Sequence, residues 1–291
     1  MKYIDTHCHL NFKDFDEDRD DIIDRAQKND LGMIQIGTGL KTSKEVVGLA
    51  KNYYQKNPNI WSTIGLHPIY TTEESEFRVE EFQKILDEDI KSGLPKIVGV
   101  GECGLDYFHL KGETKEETDS EKEVQEKVFQ DQIEFAIKNS LPLMIHCRDA
   151  YDDVISILKE YKEKLTKGEM GNDGEVYSPE RLHGNCHFFA GTIEHAKEFL
   201  DMNFTVSFTG VITFAEEYKE LVKFVPLELM HAETDSPYVA PVPFRGQKNE
   251  PNNVIKVVNR IADIKEVSFE EAEKQLVENA KKLYKLKNEI S

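Results

Sequence analysis

The sequence has no run of about 18 apolar residues, the length that a helix needs to cross a bilayer, so no membrane span is expected. It also lacks the apolar stretch of a secretion signal near its start. Cysteine is scarce, with four residues in 291, and no two of them form a Cys-x-x-Cys pair. These absences predict a soluble intracellular protein with free thiols. The expected compartment is the cytoplasm. Entry into the nucleus is left undecided by the sequence, since it has no basic targeting cluster of the usual kind.

Basic side chains are outnumbered, with 37 Lys and Arg against 55 Asp and Glu, which gives a net charge of −18 at pH 7. This balance argues against general electrostatic adhesion to DNA or to an anionic membrane. It does not exclude a nucleic-acid enzyme, because bound cations can make the field at an active site positive. No membrane partner is expected, and no obligate protein partner is inferred.

Short β-rich apolar runs alternate with longer segments of helical periodicity along the whole chain. Eight runs are candidate strands: Tyr3–Leu10, Met33–Gly37, Ile60–His67, Ile97–Leu105, Leu143–Cys147, His183–Phe189, Phe204–Thr209 and Glu228–Thr234. Eight alternations in fewer than 300 residues predict an α/β fold, a (β/α)8 TIM barrel that forms a single domain over residues 1–291. A doubly wound open sheet is the alternative, because periodicity alone does not show that a sheet closes.

Four further segments lie outside the predicted strands. Two of them, Lys111–Lys122 and Lys167–Glu180, are rich in charged or turn-forming residues and are expected to be solvated loops. The other two, about Asn253–Ala262 and Phe269–Lys287, have helical spacing and follow the last strand.

Imidazoles and carboxylates stand where five of the predicted strands end, and in a barrel these carboxyl ends converge on one face, where active sites lie. The residues are His7, His9, Glu102, His146, His187 and Asp235. Any one of these histidines alone is most simply an ordinary polar residue, but six such groups in register favour a metal site. Six ligands exceed what one tetrahedral catalytic ion uses, whereas a two-metal site that shares a carboxylate accounts for all of them. The mixture of ligands does not fix the ion.

Each cysteine adjoins one of these six positions, and strand alternation would turn its thiol away from the ligand beside it. Small buried packing residues are therefore the expected role of Cys8, Cys103, Cys147 and Cys186.

Substrate contacts are expected from residues near the same strand ends, with a surface ion pair or loop hydrogen bond as the ordinary alternative for each. The candidates are His67, Arg148, Arg245 and Asp106. Arg148 is suited to a bidentate contact with phosphate. No site role is assigned to His109, His183, His195 or His231.

Taken together, these motifs resemble those of the TatD-family metal-dependent deoxyribonucleases, within the amidohydrolase-type barrels. The motifs run in family order from residue 5 to 251: Asp5-Thr6-His7-Cys8-His9-Leu10, Gly65-Leu66-His67-Pro68, Gly101-Glu102-Cys103-Gly104-Leu105-Asp106-Tyr107, His146-Cys147-Arg148, His187-Phe188-Phe189-Ala190-Gly191, Ser207-Phe208-Thr209-Gly210, Glu233-Thr234-Asp235-Ser236-Pro237-Tyr238 and Arg245-Gly246-Gln247-Lys248-Asn249-Glu250-Pro251. Two positions depart from the family pattern: Phe188 stands where cysteine is frequent, and Gln247 where lysine is usual.

The resemblance implies a (β/α)8 barrel that hydrolyses DNA phosphodiester bonds, often as a 3′-to-5′ exonuclease, with two divalent metal ions (Mg, Mn or Zn). By the same resemblance, Glu102 and Asp235 are catalytic, and His7, His9, Glu102 and Asp235 hold one ion. Glu102 bridges to a second ion held by His146 and His187. The expected partner is DNA, as a single strand or a 3′ end.

Two other functions remain open from the sequence. Related barrels cleave amides and esters, so a metal-dependent deacylase or amidohydrolase, such as a D-aminoacyl-tRNA deacylase, would use the same ligands. A non-catalytic binding protein with structural metals is the third possibility, and the intact Asp235 argues against it.

Overall fold

The computed structural model describes residues 1–169, 171 and 173–286, and within them eight parallel strands alternate with helices. The strands are β1 (Tyr3–Cys8), β2 (Leu31–Ile36), β3 (Ile60–Ile64), β4 (Ile97–Asp106), β5 (Leu143–Arg148), β6 (Gly184–Cys186), β7 (Phe204–Phe208) and β8 (Met230–Ala232). The α-helices are α1 (Arg19–Lys28), α2 (Leu40–Asn52), α3 (Val79–Lys91), α4 (Lys115–Asn139), α5 (Tyr151–Lys167), α6 (Ile193–Asp201), α7 (Lys219–Phe224), α8 (Val254–Lys265) and α9 (Phe269–Tyr284). Residue 287, the predicted end of the last helix, lies outside the described residues.

The sheet closes on itself between its first and last strands. Each strand pairs in parallel with the next in sequence order, from β1 to β8. Closure is made at the carboxyl ends, where the His9 amide donates to the carbonyl of Ser236 (3.0 Å) and the Asp235 amide donates to the carbonyl of His7 (2.9 Å). The predicted TIM barrel is confirmed, and the open-sheet alternative is wrong.

Apolar side chains fill two regions, one on each side of the barrel wall. The larger cluster lies between the strands and the outer helices, and it contains all four cysteines, which are buried and free as expected. The smaller cluster includes Met144, which is on the same face of β5 as His146, together with Tyr284 of α9. Helix α9 therefore packs against the barrel interior on the side away from the strand ends. No helix in the described part of the chain is both long and apolar enough to span a membrane.

The prediction of a loop over Lys111–Lys122 is wrong, because α4 begins at Lys115. Its first turn carries a capping box: the Thr114 hydroxyl accepts from the Glu117 amide, and the Glu117 carboxylate accepts from the Thr114 amide. Charge alone suggested a loop, whereas the capping signal starts a helix with charged side chains exposed to solvent. The segment Lys167–Glu180 is mostly irregular where it is described, after Lys167 has ended α5.

Candidate metal centre

Glu102 is the centre of the polar cluster at the carboxyl ends of the strands, and its two carboxylate oxygens face different imidazoles. Oε2 lies 3.4 Å from His7 Nε2 and 3.9 Å from His9 Nε2. Oε1 lies 2.7 Å from His187 Nε2 and 3.1 Å from His146 Nδ1. The side chain is 4% exposed, so one buried carboxylate separates two groups of imidazoles.

The first group is completed by Asp235, which follows β8. Its Oδ1 lies 3.6 Å from His7 Nε2 and 3.5 Å from His9 Nε2, and these two nitrogens are 3.1 Å apart. The backbone of Asp235 is left-handed, with φ 51°, a conformation that is costly for a residue with a Cβ and that concentrates at functional sites. The hydrogen bond that its backbone N–H donates to the His7 carbonyl helps to hold it in this conformation.

The second group brings His146 from the end of β5 and His187 from just beyond β6. A third imidazole, His67, lies on the same side, with Nε2 3.1 Å from Glu102 Oε1. Its Nδ1 accepts from the Ile69 amide at 3.1 Å, so Nε2 carries the proton and donates to Glu102. Close approach of β4 to β5 depends on Gly104, since a Cβ there would lie 2.0 Å from the His146 carbonyl oxygen.

The charges in this cluster favour an anionic Glu102. Burial alone would raise the pKa of Glu102, but its electrostatic interactions with the surrounding imidazoles, that with His67 the largest, and a hydrogen bond from His146 hold it well below its usual range. Burial would likewise raise the pKa of Asp235, and the hydrogen bond from His9 with the charge of His7 lowers it instead. For His67 burial dominates and lowers the pKa to about 4, so this ring is neutral at pH 7. Two buried carboxylates thus stay ionised beside largely desolvated imidazoles.

A fully buried carboxylate, Glu233, supports this arrangement from below. Its Oε1 accepts from the Phe188 amide (2.6 Å) and lies 3.5 Å from His187 Nδ1, while its Oε2 accepts from the Ser207 hydroxyl (2.6 Å). Asn185 Nδ2 in turn donates to the Ser207 hydroxyl at 2.8 Å. This polar chain inside the barrel places a buried carboxylate beside His187 Nδ1, although Nδ1 makes no hydrogen bond to any described residue. Carboxylates in this position commonly orient ligand imidazoles.

On the other side, Asp106 fixes His146. Asp106 Oδ2 lies 3.0 Å from His146 Nε2 and 2.8 Å from His109 Nδ1, and the carboxylate is 1% exposed. Burial would raise the pKa of Asp106, but hydrogen bonds from His146 and His109 lower it. Asp106 therefore contacts a candidate ligand, and His109, to which the sequence assigned no role, joins the network.

The donor set fits divalent metal ions. In the described part of the chain, three groups of nitrogen and oxygen donors each lie within 4.8 Å of one another: His7 with His187 and Asp235, His7 with His9 and Glu102, and His67 with Glu102 and His146. Imidazole and carboxylate ligands are the set that binds Zn, Mn or Fe, and carboxylates also bind Mg. The six predicted ligands thus converge on one place, with both Glu102 oxygens available to separate ions.

This cluster forms the floor of an open cavity of about 680 Å³. Aromatic rings make up much of its wall: Phe12, Tyr70, Tyr151, Phe188, Tyr218 and Tyr238. Arg148 is the only lysine or arginine among the described residues that line it, and its guanidinium lies 3.9 Å above the exposed Phe108 ring. Arg245 does not line the cavity and instead stacks on Phe214 at 3.7 Å.

Glu233, His109 and the aromatic wall were not predicted from the sequence. Glu233 could have been found, because it is an acidic residue directly beyond the apolar run of β8, two residues before the predicted ligand Asp235. The aromatic residues come from segments far apart in sequence, and no local pattern marks them.

Comparison with known proteins identifies the family. A family model described as TatD related DNase matches residues 4–285. The chain belongs to the TatD family of metal-dependent hydrolases. The uncharacterized metal-dependent hydrolase YabD of Bacillus subtilis is 34% identical over 284 residues, which cover 97% of this chain and 98% of the relative. The uncharacterized metal-dependent hydrolase MJ1582 of Methanocaldococcus jannaschii is 30% identical over 288 residues, 98% of each chain.

A solved structure gives the same answer for the fold. The TatD homologue YJJV of Escherichia coli K12 superposes with a TM-score of 0.81 at 26% identity, over 98% of this chain and 99% of the other. The predicted TatD resemblance is thereby confirmed.

Proposed function

We propose that this hydrolase is a deoxyribonuclease that uses two divalent ions (Mg, Mn or Zn) to cleave phosphodiester bonds of DNA, as a 3′-to-5′ exonuclease on single strands or 3′ ends. The observation that carries the proposal is the position of Glu102 between two groups of imidazoles. Its Oε2 faces His7 and His9, and its Oε1 faces His146 and His187. A carboxylate with imidazoles on both oxygens suits a bridge between two ions, the arrangement of many phosphodiester-cleaving sites. The description of the matching family as TatD related DNase supports the choice of DNA.

His7, His9, Glu102 and Asp235 would hold one ion, and Glu102, His146 and His187 the other. When bound, the ions supply Lewis-acid polarisation of the phosphoryl oxygens and lower the pKa of water. The remaining chemistry belongs to the side chains.

Asp235 is the base that receives the proton of the attacking water. Its lowered pKa keeps it ionised, and its side chain is 14% exposed against 4% for Glu102, so it has access to water in the cavity. His67 is neutral and carries a proton on Nε2. It therefore donates a hydrogen bond to an anionic oxygen of the substrate phosphate without neutralising the charge of that oxygen. Arg148 supplies the positive charge for the phosphate from the cavity wall.

The test is degradation of single-stranded oligonucleotides labelled at either the 3′ or the 5′ end, with each of Mg, Mn and Zn and with a chelator. Wild type is compared with Glu102→Gln and with Glu80→Gln, a matched change at an exposed position in the first turn of α3. We expect metal-dependent loss of the oligonucleotide in wild type and Glu80→Gln and none in Glu102→Gln, and the labels give the polarity.

Degradation that survives both the chelator and Glu102→Gln would refute the mechanism. No degradation with any of the three ions would refute the choice of DNA. Charged tRNA and small amides, assayed in parallel, then test the deacylase and amidohydrolase alternatives on the same metal centre.

A further inference from the structure

A continuous row of aromatic rings leads from the metal centre to the rim of the cavity. The His9 ring stacks on Phe12, with centroids 4.6 Å apart and planes inclined by 18°. Phe12 meets Tyr238 edge to face, with centroids 6.4 Å apart. Tyr238 is the outermost ring and is 55% exposed, although it follows Asp235 by only three residues.

Tyr238 is exposed but held in place by its backbone. Its amide donates to the Asp235 carbonyl at 3.0 Å, and its carbonyl accepts from Nδ2 of the buried Asn249 at 2.7 Å. Among the described residues nothing hydrogen-bonds to its hydroxyl. The backbone of Tyr238 is held by hydrogen bonds and its ring is exposed to solvent. Such a ring suits a planar ligand, because the side chain loses little conformational entropy when the ligand stacks on it.

The charge of the cavity points the same way. A polyanion bound through its phosphates alone needs a track of lysines and arginines, yet Arg148 is the only one among the described lining residues. Base–aromatic stacking is the other general source of affinity for single-stranded nucleic acid, and it needs no basic groups. A cavity of about 680 Å³ is in the range that encloses one ligand of drug size, which a nucleotide matches and a duplex does not.

We infer that Tyr238, backed by Phe12, is a stacking surface for the unpaired base of the nucleotide next to the scissile phosphate. The inference rests on the proposed nuclease function and adds to it the residue that recognises the base. The metal centre then handles the phosphate, and Tyr238 positions the nucleotide beside it. Exposed aromatic residues are common on protein surfaces, and Phe224 is one at 41% exposure, but Phe224 does not line the cavity.

The experiment compares Tyr238→Ala, Tyr238→Phe and the control Phe224→Ala on single-stranded oligonucleotides. One set of substrates is intact, and the other carries an abasic nucleotide directly 5′ or directly 3′ of the scissile phosphate. For intact substrate we expect Tyr238→Ala to raise KM by about 5- to 150-fold with kcat little changed, which is the range of one base–aromatic stack. Tyr238→Phe and Phe224→Ala should match wild type.

The abasic substrates separate stacking from a general disturbance of the site. Wild type should lose about the same factor on one of the two abasic substrates, and Tyr238→Ala should not distinguish that substrate from the intact one. Equal KM values for wild type and Tyr238→Ala on intact DNA, with wild-type cleavage present, would overturn the inference and leave the nuclease standing. Absence of cleavage by wild type would instead reject the proposed function.

A binding measurement without turnover tests stacking on Tyr238 independently of the kinetics. The Glu102→Gln variant is titrated with an oligonucleotide that carries 2-aminopurine at the implicated position, and its fluorescence is followed. Stacking on Tyr238 should quench the signal, and the quench should be absent in the double variant Glu102→Gln/Tyr238→Ala. An equal quench in both variants would overturn the inference.

Discussion

Arg148 offers the sharpest test of how this acidic protein holds an anionic substrate. Within the described residues it is the only lysine or arginine that lines the cavity, and no carboxylate pairs with it. Its guanidinium is held over Phe108 instead, with its donors left for a phosphate. Replacing Arg148 with Gln removes the charge and keeps a polar side chain of similar length.

The magnitude follows from counting cations. For single-stranded DNA, log K falls with log[salt] by about 0.7 for each phosphate that the protein neutralises. One cation in the cavity therefore predicts a slope of about −0.7 for wild type, or about a 2.5-fold loss of affinity between 50 and 200 mM KCl. Arg148→Gln should bring the slope close to zero. Because Arg148 is exposed to solvent, its ion pair is worth about 0–1 kcal/mol, so affinity at moderate salt should fall by no more than about fivefold.

The assay is oligonucleotide binding at fixed Mg between 50 and 200 mM KCl, measured in the Glu102→Gln background so that no cleavage occurs. Arg245→Gln is the matched control, because Arg245 lies on Phe214 outside the cavity lining. It should leave the slope as it is in the parent. A slope that Arg148→Gln does not change, or a parent slope near −3, would show that the substrate is held by cations outside the cavity and would refute the reasoning.

Two further predictions concern the metal centre and its support, and a third concerns the stability of the fold in acid. Glu102→Gln should bind fewer than the proposed two ions per chain, measured by elemental analysis after gel filtration in Zn or Mn, and an unchanged stoichiometry of two would exclude Glu102 as the bridge. Glu233→Gln should weaken metal binding by about 10–100-fold, as loss of a ligand's supporting partner commonly does, with the fold intact by circular dichroism; wild-type affinity would show that Glu233 does not orient His187. Burial lowers the pKa of His231 to about 4, so between pH 6.5 and 4 the unfolded chain binds a proton there that the folded chain excludes, and stability falls as pH falls. From pH 7.5 to 5 this amounts to about 2 kcal/mol, and His231→Gln should lose less stability than wild type over that range by this amount in urea unfolding, whereas parallel pH profiles would contradict the assignment.

The sequence predicted the barrel well because its signals are local. Each strand is a short apolar run, and each candidate ligand stands in or just after the last part of such a run, so the convergence of strand ends in a barrel predicts that all six lie together. The placement of Glu102 between two groups of imidazoles could not be read in this way, since it depends on the relative heights of β4, β5 and β1 around the barrel. Closure through His9 and Ser236 is likewise a tertiary fact that periodicity does not contain.

The wrong and missing predictions concern features that depend either on a short local motif or on contacts between residues far apart in sequence. The charge of the segment Lys111–Lys122 led to the prediction of a loop. Thr114 and Glu117, three residues apart, are however the two residues of a capping box, which marks the start of a helix. The roles predicted for His67, Arg148, Arg245 and Asp106 stay predictions. The structure places the first two and Asp106 at the cavity and Arg245 on Phe214 outside its lining.

Two carboxylates behind the centre, Asp106 and Glu233, each lie beside one nitrogen of a neighbouring imidazole. Asp106 contacts His146 through Nε2 and so leaves Nδ1 for the centre, whereas Glu233 approaches His187 through Nδ1 and leaves Nε2. The two rings therefore present different nitrogens to the same Glu102 oxygen, at 3.1 and 2.7 Å. A histidine freed from its carboxylate can rotate or change tautomer, and then it no longer presents a lone pair at the right place. The geometry of the centre thus depends on carboxylates behind the imidazoles as well as on the candidate ligands, and one of them, Glu233, stands two residues before Asp235 in the same motif.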